Sequence, residues 1–281
     1  MSPLKGFYCP DKQTISKEDC FIKCRLGQRC RSLRYLVMAG DDRKYNGKFS
    51  TTQLLNAPRV EYLKIITPYY INPDDRAFAV LGTRGHAKLD YIVKSREEII
   101  SEYFLDGDQT GILDALEPDC QNDGMWVMTD DKTWGSYKVY AAIKEGDIGR
   151  ETMQLNNYRV KAENDKKLAE IVGKPIKVSR LQIEAIVKDG STKNASMNGL
   201  EPGAIFMISV PKLPDTQVID YFCKRGEYLQ KCLDSETLPR VCTAEENWNW
   251  KMCRKFCDIW FACPEGRKIN ARRLANDNLN P

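Results

Sequence analysis

The stretch Met125-Trp126-Val127-Met128-Thr129-Asp130-Asp131-Lys132 decides the fold, because an apolar strand pattern runs straight into a carboxylate and an ammonium two residues apart. Side chains alternate across a strand, so Asp130 and Lys132 leave the same face. Upstream, Gln109-Thr110-Gly111-Ile112-Leu113-Asp114 reads as a neighbouring strand with a second carboxylate, separated by a polar turn containing Pro118, Asn122 and Gly124. Two acids and a lysine are therefore expected to converge. Paired carboxylates repel unless a cation lies between them, and a hard divalent ion also binds phosphate oxygens. That is the minimum for metal-dependent phosphodiester hydrolysis.

A D-x-K triplet alone is weak, since the solvated edges of many strands carry one. Two further features add weight. The single histidine, His86, ends Gly82-Thr83-Arg84-Gly85-His86, a G-x3-H pattern at the start of a helix running through Val93. Downstream, Gln154-Leu155-Asn156-Asn157-Tyr158 gives Q-x3-Y in a long charged helix, where residues four apart share a face. Taken singly, each has a bland reading as packing or as a helix face.

Together and in this order, the motifs resemble the RecB-type branch of the PD-(D/E)XK nuclease superfamily. Within it they resemble the CRISPR-associated iron–sulfur exonuclease family and its phage-borne relatives. The resemblance implies a restriction-endonuclease-like α/β core with a mixed central sheet flanked by helices, plus a cysteine-rich cluster lobe joining the N- and C-terminal segments. It implies His86, Asp114 and Asp130 as ligands of Mg²⁺ or Mn²⁺, with Asp131 adding its carbonyl. Lys132 is then the catalytic lysine, and Gln154 and Tyr158 line the site. Cys30, Cys253, Cys257 and Cys263 would hold a [4Fe–4S] cluster. The implied activity is exonucleolytic cleavage of DNA, at single-stranded or free ends, with a CRISPR integrase or phage recombination proteins as partners. The chain departs from the pattern in two places: Asp130 stands where Glu is common, and Cys253-x3-Cys257 stands where C-x2-C is usual.

At 281 residues the chain can bury a sizeable core. No apolar run is long enough to span a bilayer, and Lys5, Cys9, Asp11 and Lys12 occupy the place of a secretory apolar segment, so a cytoplasmic location without membrane association is expected. The net charge of +4 and pI of about 8.4 favour a polyanion only slightly.

Eleven cysteines in a chain expected in a reducing compartment point to metal before disulfides. Cys9-x10-Cys20-x3-Cys24-x5-Cys30 and Cys242-x10-Cys253-x3-Cys257-x5-Cys263 share identical spacing. Two readings stand. Eight thiolates suffice for two four-coordinate centres, the second being another cluster or zinc. Alternatively Cys9, Cys20, Cys24 and Cys242 are buried small hydrophobes. Cys120, Cys223 and Cys232 have no ligand spacing.

The sequence divides into a cysteine segment over 1–40, a core over 41–212, a C-terminal helix and cysteine segment over 213–265, and a flexible basic tail over 266–281. Helices are predicted over 17–36, 50–66, 134–144, 151–172 and 215–233, with another carrying His86. Strands are predicted over 101–105, 109–116, 125–132, 177–187 and 204–211. The two helices between the third and fourth strands make a crossover and hence a mixed sheet. A rival reading is a non-catalytic iron–sulfur or zinc scaffold that binds DNA or docks a recombination or CRISPR adaptation partner. A weaker one is a zinc-stabilised transcription-type module, which leaves His86, Asp114, Asp130, Lys132 and Gln154 unexplained.

Overall fold

Residues 3–41, 45–93, 96, 98–146, 148–190, 193–197, 199 and 205–277 are described by a computed structural model. The chain opens with β1 (Leu4–Tyr8), β2 (Thr14–Ser16), α1 (Lys17–Ile22) and α2 (Leu33–Ala39). The two helices replace the continuous one predicted over 17–36. The chain passes Gly27 at φ +80°, a left-handed conformation that glycine adopts without strain, and Ser32 then caps α2 by accepting from Tyr35 N at 3.3 Å. Next come β3 (Phe49–Ser50), α3 (Thr51–Leu55) and α4 (Pro58–Ile66), because Pro58 ends one helix and fits the first turn of the next.

β4 (Tyr69–Ile71) leads to α5 (Ala77–Val93), β5 (Ile100–Leu105), β6 (Gln109–Pro118) and β7 (Trp126–Trp134). A crossover follows: α6 (Ser136–Tyr140), a π-turn over Ala141–Glu145, α7 (Glu151–Asn164) and α8 (Lys166–Val172). Asp165 divides the last two by accepting from Leu168 N at 3.1 Å, an N-cap inside the single helix predicted there. Then come β8 (Val178–Val187), α9 (Lys193–Met197), β9 (Ile205–Val210), α10 (Asp215–Asp234), α11 (Lys251–Lys255) and α12 (Pro264–Asp277). Ala204, the predicted start of β9, lies outside the described residues. The backbone is helical to Asp277 where a flexible tail is predicted; 278–281 and the side chains of Arg272 and Arg273 lie outside the described residues.

Two compact units result, the first from Met1–Phe49, Asn56–Val80 and Lys224–Pro281, the second from Ser50–Leu55 and Leu81–Cys223. The stretch with α4 thus joins the cysteine segments, where the sequence division assigns it to the core. Buried Arg59 is the physical reason: its Nε donates to the carbonyls of Pro239 and Arg240 at 2.8 and 3.0 Å, and its guanidinium pairs with Glu265. The first unit also has a small sheet in the order β2-β1-β4, with β1 antiparallel to β2 and parallel to β4.

The second unit is an α/β layer structure around a mixed sheet. β5 pairs with β6, β6 with β7 and β8 with β9, all antiparallel, whereas β7 and β8 are parallel across the helical crossover. A strand central to such a sheet is covered on both faces, and Trp126, Val127 and Met128 are accordingly all buried. Leu113, Leu116, Met128, Leu181 and Ile183 from the sheet pack with Leu155, Tyr158 and Ala162 of α7. At about 25 cal/mol per Å² of apolar surface removed from water, such side chains each contribute roughly 1.5–3 kcal/mol. α7 also buries Asn156, Asn157 and Arg159. Each is bonded: Asn157 Nδ2 donates to Thr51 Oγ1 at 2.9 Å, for example, and Arg159 Nη2 to Asp215 at 2.7 Å, although Arg159 Nε is buried without a partner. Among the described residues, no helix is long and apolar enough to cross a membrane.

Gly111 of β6 lies against buried Tyr158: a Cβ there would sit 2.5 Å from Tyr158 Cε1 and 3.3 Å from Thr51 Oγ1. Gly111→Ala is therefore expected to destabilise the protein by about 1–3 kcal/mol, read as a lower urea midpoint. An unchanged midpoint would mean that the ring is free to move aside.

Candidate active site

Strand pairing brings the charged groups together. β6 and β7 pair from Pro118↔Trp126 to Ala115↔Thr129, and just beyond the last pair the Asp114 side chain reaches β7 beside Asp130 and Asp131. β5 pairs with β6 through Ser101↔Ala115 and Tyr103↔Leu113, which sets Glu102 abreast of Asp114. His86 comes from α5. Its Nδ1 lies 3.1 Å from Glu102 Oε1 and 3.8 Å from Asp114 Oδ1. Ligand atoms of His86, Glu102 and Asp114 all lie within 4.8 Å of one another, a spacing that one ion can bridge. The second oxygen of Asp114 accepts the Asp131 N–H at 2.8 Å, which fixes the carboxylate between neighbouring strands.

Alternation along β7 sends Asp130 and Lys132 to one face and Asp131 to the other. Asp131 and its β8 partner Glu184 help line a cavity of about 150 Å³, together with His86, Glu102, Asp114 and Glu117. On the opposite face Asp130 is only 2 % exposed and forms an ion pair with the Lys132 ammonium. Gln154 of α7 donates to Asp130 Oδ1 at 3.3 Å and lies 3.4 Å from the Tyr158 hydroxyl. Asp114 is the residue between the two groups, since its charge acts on Asp130 as well as on the imidazole.

Burial raises the carboxyl of Asp114, against opposing pulls from Lys132 and His86. It also raises Asp131, with Glu184 and Asp130 adding to the effect and His86 opposing it. Asp130 is pushed up to about 6, chiefly by burial and further by Asp114, with Lys132 pulling the other way. For Lys132, burial lowers the value, but Asp130 and Asp114 outweigh it and the net direction is upward. Lys132 is consequently an ammonium at neutral pH. It can orient and donate, and it is not a proton acceptor.

Of the residues predicted as metal ligands, His86 and Asp114 belong to the three-residue cluster, whereas Asp130 is engaged by Lys132 and Asp131 presents its N–H to Asp114. Glu102 was not singled out from the sequence. The available signal is a carboxylate within the strand predicted next to that of Asp114. Its backbone has φ +48°, a left-handed conformation that is costly for a residue with a Cβ and is found where a side chain must be aimed.

The eight thiols of the two repeated sets lie in the first unit. Burial raises the Cys20 thiol, and the charges acting on it next are those of Cys30, Cys9 and Cys24. Cys242 is pushed up to about 12 by burial and by Glu246, followed by Cys253, Cys263 and Cys257. Cys30 therefore neighbours the N-terminal cysteines, and Cys242 the C-terminal ones.

No protein-family model matches the chain, and no curated protein is similar to it. A solved structure described as "Crystal structure of SSO0001" is similar at 16 % identity and a TM-score of 0.43, covering 83 % of this chain and 93 % of that one.

Asp114 keeps its proton above the usual carboxylate range and a cation must displace it, so metal affinity should grow as pH rises above that range. Without metal, the raised carboxyls bind protons more tightly in the folded state than in the unfolded. For Asp130 the resulting contribution to stability is thus complete below about pH 4 and is lost as pH rises through about 6. Mn²⁺ is expected to raise the melting temperature by several degrees at about pH 7.5 and by much less at about pH 5. Glu102→Gln should abolish the difference. A shift that is equal at both pH values, measured by differential scanning fluorimetry, would count against this centre.

Proposed function

We propose that the chain is a metal-dependent deoxyribonuclease with a restriction-endonuclease-like core, acting as an exonuclease on single-stranded DNA or free ends. The observation that carries this reading is the pairing of a His/Glu/Asp cluster with a buried Asp–Lys pair on adjacent strands. The donor set fits the ion. One imidazole nitrogen and two carboxylates suit Mn²⁺ or Mg²⁺, and like charges at this density need a cation among them.

His86, Glu102 and Asp114 would hold the divalent cation, which when bound supplies polarisation of the scissile phosphate and neutralises charge on its oxygens. Lys132, held protonated, orients the attacking water and offers an N–H to the oxygens on which negative charge builds. Asp130 holds that ammonium in place, and Gln154 holds Asp130. Tyr158 packs against Gly111 and under Gln154, which makes it a positioning residue. The water oxygen bonds to phosphorus as the bond to the leaving sugar oxygen breaks, and the proton that the water gives up is balanced by the one that the leaving oxygen gains.

The motif order Gly82 to His86, Asp114, Asp130 with Lys132, and Gln154 with Tyr158 supports the iron–sulfur exonuclease resemblance. On this reading a [4Fe–4S] cluster in the cysteine-rich unit stabilises a DNA-binding lobe. The location is cytoplasmic, and partners come from CRISPR adaptation or phage recombination. The rival is a non-catalytic scaffold, for which converging like charges have no use.

Lys132→Ala should keep the fold and the Mn²⁺-induced stabilisation while cleavage of end-labelled single-stranded DNA falls at least 100-fold, the scale of one lost electrostatic contact. Asp114→Ala should lose both cleavage and the Mn²⁺ response. Wild-type rates in either variant would overturn the assignment.

A further inference from the structure

The repeated cysteine spacing carries over into local structure. Cys20 lies in short helix α1 and Cys253 in short helix α11. Cys24 follows two residues after the end of α1, and Cys257 two residues after the end of α11. Cys30 then precedes α2, as Cys263 precedes α12. The two sets thus place their last three cysteines alike about a short helix, although the residues between the cysteines differ. All eight thiols are buried or half-buried, whereas Cys120 and Cys223, outside the pattern, are exposed.

The charge environment repeats as well. A four-thiolate metal centre has a net charge of about −2 and needs nearby cations. At the N-terminal set, Arg25, which pairs with Asp11, acts on Cys9 and Arg29 acts on Cys20. At the C-terminal set, Arg59 Nη1 lies 4.0 Å from Cys263 Sγ, and Lys64 acts on Cys257. Arg59 also pairs with Glu265, and Lys64 with Asp258 at 3.1 Å, so each is held in place by an acid beside its thiol set.

Spacing also bears on the occupant. Four bonds of about 2.3 Å to a single zinc draw the sulfurs to within about 4 Å of one another. Among the described residues, neither set brings three sulfurs within 4.8 Å of one another. A cage of four irons holds its cysteine sulfurs farther apart than a single zinc does.

We propose that the chain carries two self-contained [4Fe–4S] centres, one on Cys9, Cys20, Cys24 and Cys30 and the other on Cys242, Cys253, Cys257 and Cys263. This replaces the single set shared between the two ends of the chain that the family resemblance implies, and it is independent of the nuclease reading.

The test is the metal content of the full-length protein, purified without oxygen and reconstituted with ferrous iron and sulfide. The expected result is about eight iron and eight sulfide per chain, with a broad absorption band in the visible. Cys30→Ser and Cys253→Ser should each lose about half of the iron, and the double variant nearly all of it. A shared set gives another pattern, because both substitutions then strike the same centre and the double variant retains as much iron as either single one. That pattern, about four iron per chain in the wild type, or zinc without iron would each overturn the proposal. Should a variant prove insoluble, alkylation of the iron-loaded wild type decides. Cys120 and Cys223 should react with iodoacetamide at once, and both four-cysteine sets only after the iron is chelated; modification of one whole set before chelation would overturn the proposal. No readout involves DNA, so failure here and failure of the nuclease assignment are separate results.

Discussion

The burial of Asp130 beside Lys132 is the constraint on which the second unit turns. Withdrawing two charges from water costs several kcal/mol per ion, and their attraction seldom returns more than that, so stability alone does not call for such a pair in a central strand. Its surroundings make the pair tolerable. Gln154 satisfies one carboxylate oxygen, and the neighbouring register brings Asp114 close enough to share the ammonium. α7 must therefore lie across the sheet in one position only. Its buried Asn156, Asn157 and Arg159, each bonded to a group distant in sequence, fix that position.

On the other face the imbalance runs the opposite way. Glu102, Asp114, Asp131 and Glu184 come from four consecutive strands, and of these Asp114 and Asp131 are opposed by His86 and Lys132. A fold that concentrates carboxylates in this manner is least content when empty and deprotonated. The strained backbone of Glu102 and the upward displacement of Asp114 and Asp131 express the same cost, one sterically and the other electrostatically.

Much of the second unit was legible because its strands obey strong local rules. The apolar run before Asp130, the alternation in β8 and the turn around Gly124 each locate an element within a residue or two. Helix interruptions were less visible. Asp165 and Pro58 are ordinary capping signals, yet apolar spacing continues across both, so a periodic pattern conceals the break. The small sheet β2-β1-β4 escaped notice because its strands have three to five residues, too few for a period to register. Glu102 was hidden for a different reason: its importance lies in a register between strands, and no spacing along the chain encodes that. The thiols show the converse, since their repeat is plain in the sequence while a resemblance drew attention to a grouping that crosses it.

The locality of those thiol sets has a kinetic meaning. In each, the loops to be closed contain ten, three and five residues, whereas a set joining Cys30 to Cys253 must close one of more than two hundred. Loop entropy grows only slowly with length, but the time needed for distant segments to meet grows steeply with their separation. The first set is complete once the ribosome has released residue 30, long before the sheet exists. The second must await residues 242–263, so the two sets would mature at well-separated times in synthesis.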